Sequence, residues 1–168
     1  MGTGKIGNVT VNALIGYTYM DPKILNPDDS IPGFKPVPVF GINNSYRSTS
    51  SDPTDGTLKY RFNHLVKADL EFVYKRVMFG ASCRYNSYMK NIDKIFEGLD
   101  SFLNYGLVDF RTKNNKGDYI LDFRVGVDVA KHSRVSLVVN NALNRVNTLR
   151  PLDIAPPRTF AIQYQLKF

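Results

Sequence analysis

Arg158-Thr-Phe-Ala-Ile-Gln-Tyr-Gln-Leu-Lys-Phe168 is the stretch that decides the fold. Phe160, Ile162, Tyr164, Leu166 and Phe168 alternate with Thr159, Ala161, Gln163, Gln165 and Lys167. Successive side chains of a strand point to opposite faces, so the large apolar set shares one face. In a soluble domain an edge strand with such a face invites aggregation. In a closed transmembrane barrel the last strand pairs with the first, and its apolar face meets lipid.

The same period recurs upstream, giving about six stretches in all. Val9, Val11, Ala13, Ile15, Tyr17 and Tyr19 form one apolar set. Tyr60, Phe62, His64, Val66, Ala68, Leu70, Phe72 and Tyr74 form the next. Val77, Phe79, Ala81, Cys83 and Tyr85 follow, then Tyr119, Leu121, Phe123, Val125, Val127 and Val129, then Val135, Leu137 and Val139. Arg61, Lys67, Asp69, Glu71, Arg84, Asp122, Arg124 and Asp128 lie on the opposite faces, where cross-strand ion pairs or a permeation path would use them.

The connections alternate in length. Lys75-Arg76 and Lys131-His-Ser-Arg134 are tight turns, whereas Asp21–Thr57, Asn91–Gly117 and Asn141–Pro157 are long. Bacterial transmembrane barrels pair short periplasmic turns with longer extracellular loops in this way. With the C-terminus periplasmic, Tyr17, Tyr19, Tyr60, Phe62, Tyr85, Tyr119 and Phe160 reach the outer interface, and Phe72, Tyr74, Phe79 and Phe168 the inner one. Two aromatic girdles around an aliphatic band are expected of a barrel in a bilayer. The sequence therefore predicts an all-β chain, an antiparallel up-and-down transmembrane β-barrel segment. A soluble ligand-binding barrel would turn the same apolar faces inward, and alternation alone does not separate the two.

Ten Tyr and eleven Phe with no Trp suit a strand-rich chain with interfacial rings. No run approaches the roughly 18 apolar residues of a spanning helix. The nearest helical stretch, Ile92 to Leu107, is interrupted by Asp93, Lys94, Glu97 and Asp100. Cys83 is the single cysteine and reads as a small packing residue. The net charge of +7 is spread along the chain without a basic tract, which argues against nucleic acid as a partner. Met1-Gly-Thr-Gly-Lys-Ile-Gly7 has no apolar export segment, and Ile6 breaks the myristoylation pattern. The smallest membrane barrels have about eight strands. Both points lead to the expectation that residues 1–168 are the C-terminal part of a larger barrel.

No residue set points to catalysis, a metal or a cofactor. His64 falls on an apolar face and His132 in a tight turn, neither placed to activate Cys83. Asp52-Pro-Thr-Asp55-Gly56 reads as a turn, since it lacks the distal glutamate of a calcium loop. Asp93, Glu97 and Asp100 are expected on the outer face of a short loop helix, with Ile92, Ile95, Phe96 and Leu99 beneath. Ligand contacts are expected in the long loops, from Phe34, Phe40, Tyr46, Arg47, Tyr105 and Phe110.

Asn141-Ala-Leu-Asn144, then Arg150-Pro151, then Pro156-Pro157-Arg158-Thr159-Phe160, then terminal Phe168 with Leu166 and Tyr164, resembles the C-terminus of the TonB-dependent outer-membrane receptors, above all those of Bacteroidetes-type bacteria. The family typically has Asn-Leu-Phe-Asn where this chain has Ala142-Leu143 in the middle. The resemblance implies the last strands of a barrel of about 22, in the cell outer membrane. It implies import of a scarce bulky nutrient, such as a ferric chelate, cobalamin or a glycan. The implied partners are outer-membrane lipid, the rest of the receptor barrel and its plug, the TonB complex, and the barrel assembly machinery. The machinery would read Tyr164, Leu166 and Phe168. A structural outer-membrane barrel is the other membrane reading.

Overall fold

The computed structural model describes residues 1–30, 44–151 and 153–166. Its strands are β1 (Gly2–Ile6), β2 (Val9–Tyr19), β3 (His64–Tyr74), β4 (Val77–Asn86), β5 (Asp118–Ala130), β6 (Ser133–Asn140), β7 (Thr148–Arg150), β8 (Asp153–Ile154) and β9 (Thr159–Leu166). Three helices, α1 (Tyr46–Thr49), α2 (Lys94–Leu103) and α3 (Leu107–Lys113), lie in the long connections. One antiparallel sheet runs β1-β2-β3-β4-β5-β6-β9, and β7 and β8 form a separate hairpin. The architecture is thus the all-β, up-and-down antiparallel sheet that the alternation predicts.

Register keeps the two faces chemically distinct across every strand pair. Ala13 faces Leu70, Leu70 faces Ala81, Ala81 faces Phe123, Phe123 faces Val139 and Val139 faces Phe160. A slip by one residue would exchange the faces, so the apolar pattern itself pins the pairing. His64 shares this face, accepting or donating a 2.9 Å hydrogen bond with the Tyr17 hydroxyl and packing 5.1 Å from the Tyr19 ring. On the opposite face Arg84 pairs with Asp122, Arg134 with Asp128, and Arg124 with Asp69 and Glu71.

Two features depart from the sequence expectation. First, β1 adds a strand where Gly2-Thr-Gly-Lys-Ile6 shows no alternation. It forms because Gly7, at φ +59°, makes a tight turn with Asn8 and lays the backbone against Val9–Ala13. Second, β3 starts at His64 rather than Tyr60. Tyr60 takes a left-handed φ of 60°, which costs a bulky residue about 1–2 kcal/mol and breaks the strand. Tyr60 and Phe62 therefore leave the outer aromatic girdle and pack into the loops.

That packing is where the apolar core sits. Met89, Ile92 and Leu107 form a buried cluster, flanked by Tyr60, Phe62, Phe96 and Tyr105. The sheet's own apolar face is open instead: Ile162 is 81% exposed, Ile15 74% and Phe160 68%.

Candidate functional site

The β2–β3 and β4–β5 connections fold onto each other as one body. Asn91 is 1% exposed, and its amide nitrogen donates 2.8 Å bonds to the Tyr46 hydroxyl and the Thr57 carbonyl. Its amide oxygen accepts from Ser51 and from the Asp52 backbone. Every polar group of this buried amide is satisfied, so the two loops are held in one relative position. Lys59 and the Tyr60 hydroxyl both bind Asp93. Burial, with the Asp93 carboxylate beside it, pushes the Tyr60 phenol up to about 12.

Within the second loop Asp100 ends α2 through its backbone carbonyl, which accepts from the Asn104 N–H, and caps α3 through its carboxylate. It accepts from the backbone N–H of Gly106 at 2.7 Å and of Val108 at 2.8 Å. These amides, Val108 foremost, hold its carboxyl below the usual carboxylate range. The face assignment read from the sequence is corrected here. Asp100 is 8% exposed, whereas Ile95 is 65% and Leu99 40% exposed. Orphan amides at the start of α3 draw the acid inward more strongly than helical period pushes it out.

The 141–158 connection is closed by Asn141 and Asn144. Asn141 and Asn144 take left-handed φ values of 49° and 51°, which this residue type tolerates. The Asn141 side chain accepts from the Arg145 N–H at 2.9 Å and donates to the Arg145 and Pro156 carbonyls. Asn144 accepts from the Arg158 N–H at 2.9 Å. The start of the loop is thereby tied to its end. Arg145 in turn binds Asp118 at 2.7 Å and covers the Tyr119 ring at 4.3 Å.

Between α3 and the β7–β8 hairpin lies a cleft of about 670 Å³, floored by the polar face of β3 to β6. Phe62, Tyr88 and Phe110 supply aromatic walls, and Lys67, Arg84, Arg111 and Arg150 supply cations. Arg111 is fixed by bonds to the Met89 and Lys90 carbonyls and lies 5.0 Å over the Tyr88 ring.

Of the loop residues expected to touch a ligand, Phe110 lines this cleft. Tyr46 is 6% exposed in the buried loop junction, and Arg47 is paired with Asp28 on the far surface. Tyr105 donates to the Phe96 carbonyl and packs on the apolar cluster. Phe34 and Phe40 lie outside the described residues. So does Phe168, while Tyr164 and Leu166 stand exposed on the apolar face of β9. Of the cleft cations, the sequence marks Lys67 and Arg84 as polar-face residues for ion pairs or a permeation path, while Arg111 and Arg150 are not assigned from it. Lys67 and Arg84 carried a usable signal, because the hairpin register of β3 and β4 puts them directly opposite each other.

No protein-family model matches the chain, and no curated protein matches it. Among solved structures it is similar to the ferric-catecholate import receptor Fiu from E. coli K12 in its closed form, with a TM-score of 0.58 and 18% identity. The match covers 97% of this chain and 19% of that receptor. At this identity the likeness establishes the fold alone, a section of a β-barrel wall.

Proposed function

We propose that residues 1–168 belong to an outer-membrane β-barrel, as the C-terminal part of a TonB-dependent receptor that imports a scarce bulky nutrient. The observation that carries this reading is the open apolar face described above. A contiguous apolar surface of several strands is rare on a soluble monomer and marks contact with lipid or protein. Strand length agrees for the central strands: β2 and β3 have 11 residues, β4 has 10 and β5 has 13, against the roughly 9–11 that cross a bilayer core, while β6 and β9 are shorter at 8. The loops cover the polar face, not the apolar one, which disfavours a soluble barrel with its apolar side inward.

The sheet edges support a larger barrel. Among the described residues β1 pairs with Val9–Ala13, Leu14–Tyr19 of β2 have no neighbour on that side, and β9 forms the other edge. In hydrocarbon each unpaired backbone group costs several kcal/mol, which favours a wall completed by further strands. Import, the plug and the TonB complex rest on the C-terminal motifs and on the likeness to a solved import receptor. That receptor comes from E. coli and lends no support to the Bacteroidetes-type subdivision, which rests on the motifs alone.

Membrane fractionation in a Gram-negative host tests the reading. Resistance to carbonate washing and urea extraction is the expected result. Recovery as a stable soluble monomer would overturn it in favour of a soluble barrel.

A further inference from the structure

We propose that the 670 Å³ cleft binds an anionic solute. The proposal rests on the import reading for its biological sense, and on the lining residues for its chemistry.

The cleft's own charges do not cancel. Asp118 is neutralised by Arg145, and Asp122 by Arg84 at 3.3 Å. Among the described residues, no ion pair joins Lys67, Arg111 or Arg150 to a carboxylate. The unpaired cations are Lys67 on the floor, Arg111 on α3 and Arg150 on β7. Lys67 faces Arg84 across the β3–β4 pair, with Gly16 on its other side. Like charges directly opposite one another destabilise a sheet. Asp69, two residues from Lys67 on the same face, is already gripped by Arg124. Asp122 already compensates Arg84, so Lys67 is the floor charge left for a bound anion, and a neutral ligand would not compensate it.

The guanidinium of Arg111 is set in place by two carbonyls and an aromatic ring, so it is oriented before any ligand arrives. A fixed planar fork suits carboxylate, sulfate or phosphate oxygens. The cleft opens from the polar side of the sheet, opposite the open apolar face, so the anion arrives from solution and not as a lipid headgroup.

Titration of the native assembly recovered from membranes tests this, with trigalacturonate and citrate as hydroxylated trianions and maltotriose as the neutral match. Should the chain fractionate as a soluble protein, the same titration is run on that form. Failure of the membrane reading then shows in the fractionation, and failure of the anion proposal in the titration. At least one trianion is expected to bind, weakening as salt rises from about 0.05 to about 0.5 M. K67Q and R150Q should each weaken it at least about tenfold, while K94Q, on α2 outside the cleft, leaves it unchanged. Normal heat-modifiable mobility of the variants confirms that they fold. Binding of neither trianion, equal binding of maltotriose, or unchanged affinity in the folded K67Q/R150Q double variant would each overturn the proposal.

Discussion

Arg124 on β5 reaches over β4 to fork onto Asp69 of β3, its terminal nitrogens 2.8 and 2.9 Å from the two carboxylate oxygens. The path runs above Gly80, where a Cβ would stand 2.4 Å from Arg124 Nε. Glu71 accepts from the same guanidinium and also from Asn12, which in turn accepts from Thr3. One polar chain thus ties four strands together on the face away from the apolar one.

G80A should break this tie, because the methyl group and the guanidinium cannot share the space. Lost charged hydrogen bonds put the cost at about 1–3 kcal/mol. The temperature of the heat-modifiable gel shift is expected to fall. G4A is the control, since nothing lies within 4 Å of a Cβ there. Equal behaviour of the two variants would show that Arg124 has an alternative route.

The asparagine staple makes a second prediction. N141A loses the side-chain bonds and strains a left-handed backbone, together about 2–3 kcal/mol of local stability. N141G restores the backbone freedom but not the bonds, so it should fall between wild type and N141A. Limited proteolysis within 142–157 reads the order; an N141G loop as resistant as wild type would assign the whole effect to backbone conformation.

Asp100 gives a pH dependence with a definite sign. Its folded-state pKa lies below the ordinary 3.8. The carboxylate therefore stabilises the α2–α3 junction fully above that ordinary value, and the contribution is lost as pH falls through the lower folded value. Hydrogen exchange at the Gly106 and Val108 amides, corrected for intrinsic rates, should accelerate at the acid end and stay constant around neutrality. D100N should be fast at both ends. Unchanged protection on acidification would separate these amides from the carboxylate.

Assembly makes the fourth. Deleting Phe168 is expected to leave unassembled chains in the periplasm, with Y164A and L166A producing the same defect more weakly. A purely packing role would instead cost about 3–5 kcal/mol in a barrel that still inserts. Surface protease accessibility against gel-shift temperature separates them: normal insertion with early melting would remove the recognition role.

The local pattern of this chain determined the strands and their faces. Phe160 to Leu166, Val9 to Tyr19 and Val77 to Tyr85 could be read directly because strand period is a property of neighbouring residues, and the tight turns at Lys75-Arg76 and Lys131-His132 need only local chemistry. Tertiary structure decided the rest. Gly2–Ile6 has no pattern to read and becomes a strand only through pairing with β2. Tyr60 and Phe62 continue a strand pattern, yet the buried cluster of Met89, Ile92 and Leu107 draws them into the loops. Asp100 turns inward for amides several residues away, and Lys67, Arg111 and Arg150 come together from β3, α3 and β7. Each of these depends on partners outside the strand or helix repeat, most of them distant in the chain, and a period over neighbouring residues carries no information about such partners.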